Sequence, residues 1–354
     1  MRARFGKVLP WLILLFLVVA LSTVLDLAGL PSPVLFGALV AGLGYALIAP
    51  RTPAVPGFAF TTGQAVLGAA IGSTLEPSTL TALGADWLPV LLSCLATLLL
   101  SVAAGSVLML KPGISTATGV FAMIAGGASG IVAISRDLGA DDRVVAVVQY
   151  LRVLIILLGM PLVAQVVFSP EPTPGISLLV TQSVEPALPH AGLIIAALAL
   201  AVGLPLARFV PMPAGALLFP LIVAAVLAGT GTIAATVPDW LQNIGFALIG
   251  LQVGLRFTRE SLKAVASVLP LAVAAIIGLI VVSAGLGVVL AHATGRTSLE
   301  GYLATTPGGL YAVLATAVGS GADVTFVLMV QVARLFVMLF CAPLLARLLA
   351  GPRA

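Results

Sequence analysis

The chain has 354 residues, of which 61% are hydrophobic and only 8% charged, so it carries more apolar surface than one soluble core can hide and reads as an integral membrane protein. Its formal net charge of +4 does not point to nucleic acid, because the basic residues sit singly or in threes between apolar runs and form no stripe for phosphates. Cys94 and Cys341 lie alone inside apolar runs without a CxxC partner and read as packing residues.

In chain order, Arg2, Arg4 and Lys7 precede the apolar run 8–25. That run is too long for the core of a secretion signal and no A-x-A site follows, so a retained first span is expected. Further apolar elements follow at 34–48, 60–75, 88–110, 115–135 and 144–168, then at 191–209, 214–229, 243–256, 265–291, 298–319 and 324–350. A spanning helix needs about 20 apolar residues; the second and third elements of each half fall short, and the fifth is interrupted by glycine. Pro31 with Pro33, and Pro211 with Pro213, open the second element in both halves, where proline suits a helix start. Residues 169–190 are rich in proline and acid and hold no lysine or arginine, which predicts an exposed linker.

The two halves are copies. At a constant offset of 182 residues, Gly308 and Gly309 answer to Gly126 and Gly127, Asp323 to Asp141, Gln331 to Gln149, and Arg334 to Arg152. Outwards, Pro343 matches Pro161, Gly301 matches Gly119, and Gly245, Gly250 and Gly254 match Gly63, Gly68 and Gly72. The expected organisation is a first membrane repeat at 1–168, an external linker at 169–190 and a second membrane repeat at 191–354.

Positive charge decides the expected topology, since lysine and arginine in short loops stay in the cytoplasm. If the glycine-interrupted element dips in and returns, Arg51, Lys111, Arg136 and Arg143 all fall inside. So do Arg208, Arg256, Arg259, Lys263, Arg347 and Arg353, and only Arg296 falls outside. That count requires an odd number of crossings per half. The expected fold is therefore an all-α integral membrane protein built as an inverted-topology tandem repeat, with about ten transmembrane helices plus two re-entrant or broken elements. Both termini are expected in the cytoplasm.

Gly126-Gly127 and Gly308-Gly309, the second pair preceded by Pro307, lie inside apolar stretches, where a helix break is tolerated only if the freed backbone groups find partners. They read either as a broken helix lining a substrate site or as close packing. Gly68 with Gly72, and Gly250 with Gly254, fit the small-residue pattern of closely approaching helices. Asp141 and Asp323 stand just ahead of the last element of each half, where a carboxylate caps a helix or holds an ion. Gln149 with Arg152, and Gln331 with Arg334, share a helix face at i, i+3. At 1.5 Å per residue the arginines lie roughly 13 to 15 Å into their helices, near the centre of a hydrocarbon core about 30 Å thick. An arginine there costs about 2.5 kcal/mol or more and marks function by default. No Asp or Glu falls at midspan; the expected partners are Asp141, Asp323 or a bound anion, with Gln149 and Gln331 hydrogen-bonding alongside at the substrate site. With two histidines, both at element ends, no metal site can be built, no cofactor is implied, and no catalytic motif is present.

The segments GQAVLGAAIGSTL and GFALIGLQVGLRF, the motif TTPGGLYAV, and GADVTFVLMVQVARLFVMLFCAPLL with its first copy GADDRVVAVVQYLRVLIILLGMPLV resemble the AbrB-type membrane proteins of bacteria. The resemblance covers about 30–350. The first copy departs from it in having Ala125 where the second has Pro307. It implies a duplicated, multi-pass protein of the bacterial inner membrane, distinct from the small soluble DNA-binding regulator of the same name. The labels attached to that family are ammonia monooxygenase and regulator of gene expression; copper or iron ligands for the first and a nucleic-acid-binding segment for the second are both missing from these residues. The expected function is that of a secondary transporter of a small anionic solute held at midplane, with the lipid bilayer as the other partner. A non-transporting membrane sensor is the alternative.

Overall fold

A computed structural model describes residues 2–49, 52–75, 86–125, 131, 135, 139–168, 190–210, 212, 214–230 and 236–350. Among the described residues the fold is all-helical: α1 Arg2–Leu27, α2 Pro33–Ile48, α3 Gly57–Gly72, α4 Trp87–Leu108, α5 Thr116–Met123, α6 Asp142–Val167, α7 Ala191–Phe209, α8 Gly215–Gly229, α9 Asp239–Gly254, α10 Arg259–Ala264, α11 Leu269–Thr294, α12 Ser298–Thr305, α13 Leu310–Gly319 and α14 Val324–Ala350.

Five helical stretches are long and apolar enough to cross a membrane by length and composition: Val8–Leu27, Trp87–Leu108, Asp142–Val167, Ala191–Phe209 and Leu269–Thr294. The elements that run short in the sequence remain short here. The 16 residues of α2 or α3 rise only about 24 Å at 1.5 Å per residue, less than a hydrocarbon core of about 30 Å. Large apolar side chains face outward along the long helices, among them Leu12, Phe16 and Val19 of α1 and Leu88, Leu92, Leu95 and Leu99 of α4. Contiguous apolar surface of this kind is compatible with a multi-pass membrane protein.

The chain forms two compact units, one of Met1–Thr79, Pro170–Arg259 and Val318–Val324, the other of Leu80–Ser169, Glu260–Ala317 and Thr325–Ala354. Each unit draws on both sequence halves. The first takes α1–α3 and α7–α9; the second takes α4–α6 and α10–α12 with most of α13 and α14.

Within the first unit the packing is reciprocal. A Cβ added at Gly68 or Gly72 of α3 would lie 2.1 Å from the carbonyl oxygen of Leu217 or Leu221 of α8; one added at Gly250 or Gly254 of α9 would lie 2.4 Å from that of Leu35 or Leu39 of α2. The contacts recur at the duplication offset with the copies exchanged. The α3 and α9 helices meet at Gly63 and Gly245, each of whose added Cβ would come within 3.3 Å of the other's carbonyl oxygen. Small residues here let backbones touch.

The second unit repeats the device. The added Cβ of Gly119 in α5 would stand 2.6 Å from the Gly105 carbonyl oxygen of α4, and that of Gly301 in α12 would stand 2.1 Å from the Gly287 oxygen of α11. Around the first pair, Leu98, Phe121, Ile124, Ile131, Val145 and Met338 form an apolar core against which Cys341 packs. The Cys94 thiol meets the Val330 carbonyl at 3.9 Å. Arg296, which the charge count leaves outside, sets its guanidinium 5.1 Å over the Phe326 ring.

Candidate functional site at two half-helix ends

Both candidate sites begin with a short helix that stops early. In the first copy the Ser115 hydroxyl caps α5 by accepting from the Thr118 N–H at 3.2 Å, and the helix ends at Met123 because Ile124 turns to extended backbone, ψ 129°. In the second copy Thr297 and Glu300 form a reciprocal capping box at the start of α12, which ends at Thr305 as Thr306 turns extended, ψ 123°. Pro307, Gly308 and Gly309 then break the element, with Gly309 in the left-handed region at φ 63°. Proline lacks an N–H, and the left-handed region favours glycine, which has no Cβ to clash there.

A helix that ends inside an apolar layer strands the carbonyls of its last turn. The Gln–Arg pairs satisfy them. Gln149 Nε2 donates to the carbonyls of Phe121 and Ile124, both at 2.7 Å, while Arg152 Nη1 donates to that of Met123 at 2.6 Å and Nη2 to Gln149 Oε1 at 2.7 Å. In the second copy Gln331 Nε2 donates to Leu303 at 2.7 Å and Thr306 at 3.3 Å; Arg334 Nη1 donates to Thr305 at 3.3 Å and Thr306 at 2.5 Å, and Nη2 to Gln331 Oε1 at 2.5 Å. All four side chains are at least 96% buried. A cationic side chain at a helix C-terminus also meets the negative end of its dipole.

The glutamines bond beside the arginines as expected, and helix-end carbonyls stand where Asp141 or Asp323 was expected. Among the described residues no carboxylate pairs with either guanidinium; the acceptors are carbonyls and glutamine. Asp141 is engaged elsewhere, its Oδ1 accepting from the N–H groups of Arg143 at 3.0 Å and Val144 at 3.3 Å, which caps α6. Its own N–H donates to Thr118 Oγ1 at 2.9 Å, tying the start of α6 to α5. Asp323 stands one residue ahead of α14. Gly126 and Gly127 lie outside the described residues.

Two charges remain unneutralised. Among the described residues both guanidiniums bond only neutral acceptors, and the Nε of each is buried without a hydrogen-bond partner. The break of the second copy packs on α6 of the first: an added Cβ at Gly308 would lie 2.8 Å from Ile156 Cδ1 and 3.6 Å from Arg152 Nε, and one at Gly309 would lie 3.0 Å from Leu157 Cδ1. Arg152, Gln149, Arg334, Gln331, Gly308 and Gly309 thus belong to one unit. Gly68, Gly72, Gly250 and Gly254 belong to the other. No group of His, Cys, Asp and Glu able to hold a metal occurs among the described residues.

Sequence reading missed the acceptors Phe121, Met123, Ile124, Leu303, Thr305 and Thr306, because a carbonyl leaves no mark on residue type. A usable signal exists in the spacing: the Gln and Arg bonds span 28, 25 and 29 residues in the first copy and the same three intervals in the second.

The family model described as "Transition state regulatory protein AbrB" matches residues 34–350. A protein of Escherichia coli (strain K12) named as a candidate regulator, AbrB, is 32% identical over 354 residues, covering 97% of each chain. An uncharacterised protein of Bacillus subtilis (strain 168), YhjN, is 27% identical over 301 residues, covering 81% of this chain and 77% of that one. The match runs through both half-helix ends and both Gln–Arg pairs, and the chain belongs to the AbrB family.

Proposed function

We propose that this protein is a secondary transporter that moves a small anionic solute through a midplane site where its two copies meet. The observation that carries the reading is the pair of buried guanidiniums with no carboxylate among the described residues. Capping a stranded carbonyl does not need a full charge, since glutamine does the same work beside each arginine. An arginine in a membrane costs about 2.5 kcal/mol or more, and this chain buries two. A visiting anion would offset both. In this reading the chain has no catalytic role and no cofactor, and its partners are the bilayer and the solute.

Thermal unfolding of purified protein against a panel of metabolites tests the charge preference, because a ligand that favours the folded state raises its apparent stability. Small anions should stabilise, whereas their neutral amides and cationic amines should not. Stabilisation by the neutral or cationic members alone would refute the anion reading.

The same proposal places the copies antiparallel across the bacterial inner membrane, with both termini in the cytoplasm. A cysteine replacing Val180 should then label from outside intact cells, and one replacing Glu260 only after permeabilisation. Labelling of both from one side would contradict the inversion. A second reading follows the regulator name of the Escherichia coli relative: a non-transporting membrane sensor that influences gene expression indirectly. Such a sensor would bind its ligand without moving it.

A further inference from the structure

The capping network leaves one edge of Arg152 unused, and that edge faces a helix start. Arginine has five N–H donors; Nη1 and Nη2 hold Met123 and Gln149, while Nε is buried without an acceptor. Nε lies 3.6 Å from the place a Gly308 side chain would take. The next two residues, Gly309 and Leu310, open the ten-residue α13, and neither N–H donates to an acceptor among the described residues. Both residues are half-buried rather than sealed in the core, and Ile156 and Leu157 wall the place with apolar surface.

We infer that the start of α13 and the Nε edge of Arg152 form an anion subsite that takes one carboxylate or an oxyanion group of similar size. The donors come from both copies: two backbone N–H groups at the positive end of a helix dipole from the second, and one guanidinium N–H with its charge from the first. The Nη edge seals the half-helix and stays bonded; the Nε edge meets the ligand. Gly308 is the specificity-determining residue, since any side chain there occupies the space in front of Nε. This inference rests on the anionic-solute reading and assigns it a set of atoms.

The test uses the purified full chain with acetate, nitrate and inorganic phosphate as separate probes, measuring Kd by calorimetry for wild type, Gly308→Ala and the double variant Gly308→Ala with Ile156→Val. Gly308 has no positive φ, and its added Cβ would press only on the flexible end of Ile156, an atom that valine lacks. Loss of a charge-assisted contact should raise Kd about tenfold or more in both variants. Restoration of affinity by Ile156→Val would show that Gly308 serves packing alone, and would overturn the subsite. Unchanged affinity in both variants would overturn it too, while leaving the transporter reading standing if wild type moves the anion in vesicles. Loss of binding in both, with no vesicle flux of that anion by wild type, would support the subsite and sink transport. Failure of all three anions to bind wild type saturably would overturn the subsite.

Discussion

Changing Gly68 to alanine should destabilise the protein by about 3 kcal/mol or more, at the upper end of what overpacking costs. The added Cβ would stand 2.1 Å from the Leu217 carbonyl oxygen, where carbon and oxygen ordinarily approach no closer than about 3.3 Å. The obstacle is backbone, so no rotamer change relieves it, and α3 and α8 would have to part by about 1 Å. Gly250→Ala makes the matching demand on the Leu35 carbonyl of α2 at 2.4 Å and should behave alike. Gly44→Ala is the control: its Cβ would meet nothing within 4 Å, and alanine in a helix interior gains roughly 0.5–1 kcal/mol over glycine. Apparent unfolding midpoints of the three variants decide it. Equal midpoints for Gly68→Ala and Gly44→Ala would show that the close approach is not what holds these helices.

Replacing Arg334 separates the two jobs assigned to it. Arg334→Met removes the charge together with the bonds to Thr305, Thr306 and Gln331. Each buried acceptor left unmade costs about 1–3 kcal/mol, and relief of the buried charge offsets part of that. A loss of about 2–4 kcal/mol is expected, with no anion binding. Arg334→Lys keeps the charge, and its ammonium reaches a carbonyl of the half-helix, but it offers no planar fork and no Nε–H. Stability should fall less than in the methionine variant, while anion affinity falls roughly 10- to 100-fold, the equivalent of one hydrogen bond to a charged group. Stability equal to that of wild type in Arg334→Met would remove the capping role read from these bonds.

The duplication and the helical elements were legible in the sequence because apolar runs and glycine spacing are local signals. The run 144–168 becomes α6, Asp142–Val167, and Gly308 and Gly309 fall in the gap between α12 and α13. Which helices form a unit was not legible. Gly68 and Gly250 announce that some backbone comes close, yet nothing about glycine names Leu217 or Leu35 as its owner. The arginines were legible as costly and the glutamines as their neighbours, but the other partners were sought in Asp141, Asp323 or a bound anion, whereas the structure supplies carbonyls freed by the half-helix ends. The unused Nε of Arg152 beside Gly308 became visible only with coordinates, since the two residues lie in different copies.

Movement of an anion across a sealed bilayer separates a transporter from a protein that only binds. Protein reconstituted into vesicles would be loaded with the anion that stabilises it most and assayed for exchange against the labelled form outside. Exchange above protein-free vesicles is expected for wild type, falling close to that background in Arg152→Lys and Arg334→Lys even though both remain inserted and folded. Exchange in both lysine variants equal to that of wild type, or wild-type vesicles no more permeable than empty ones, would contradict the proposed anion transport.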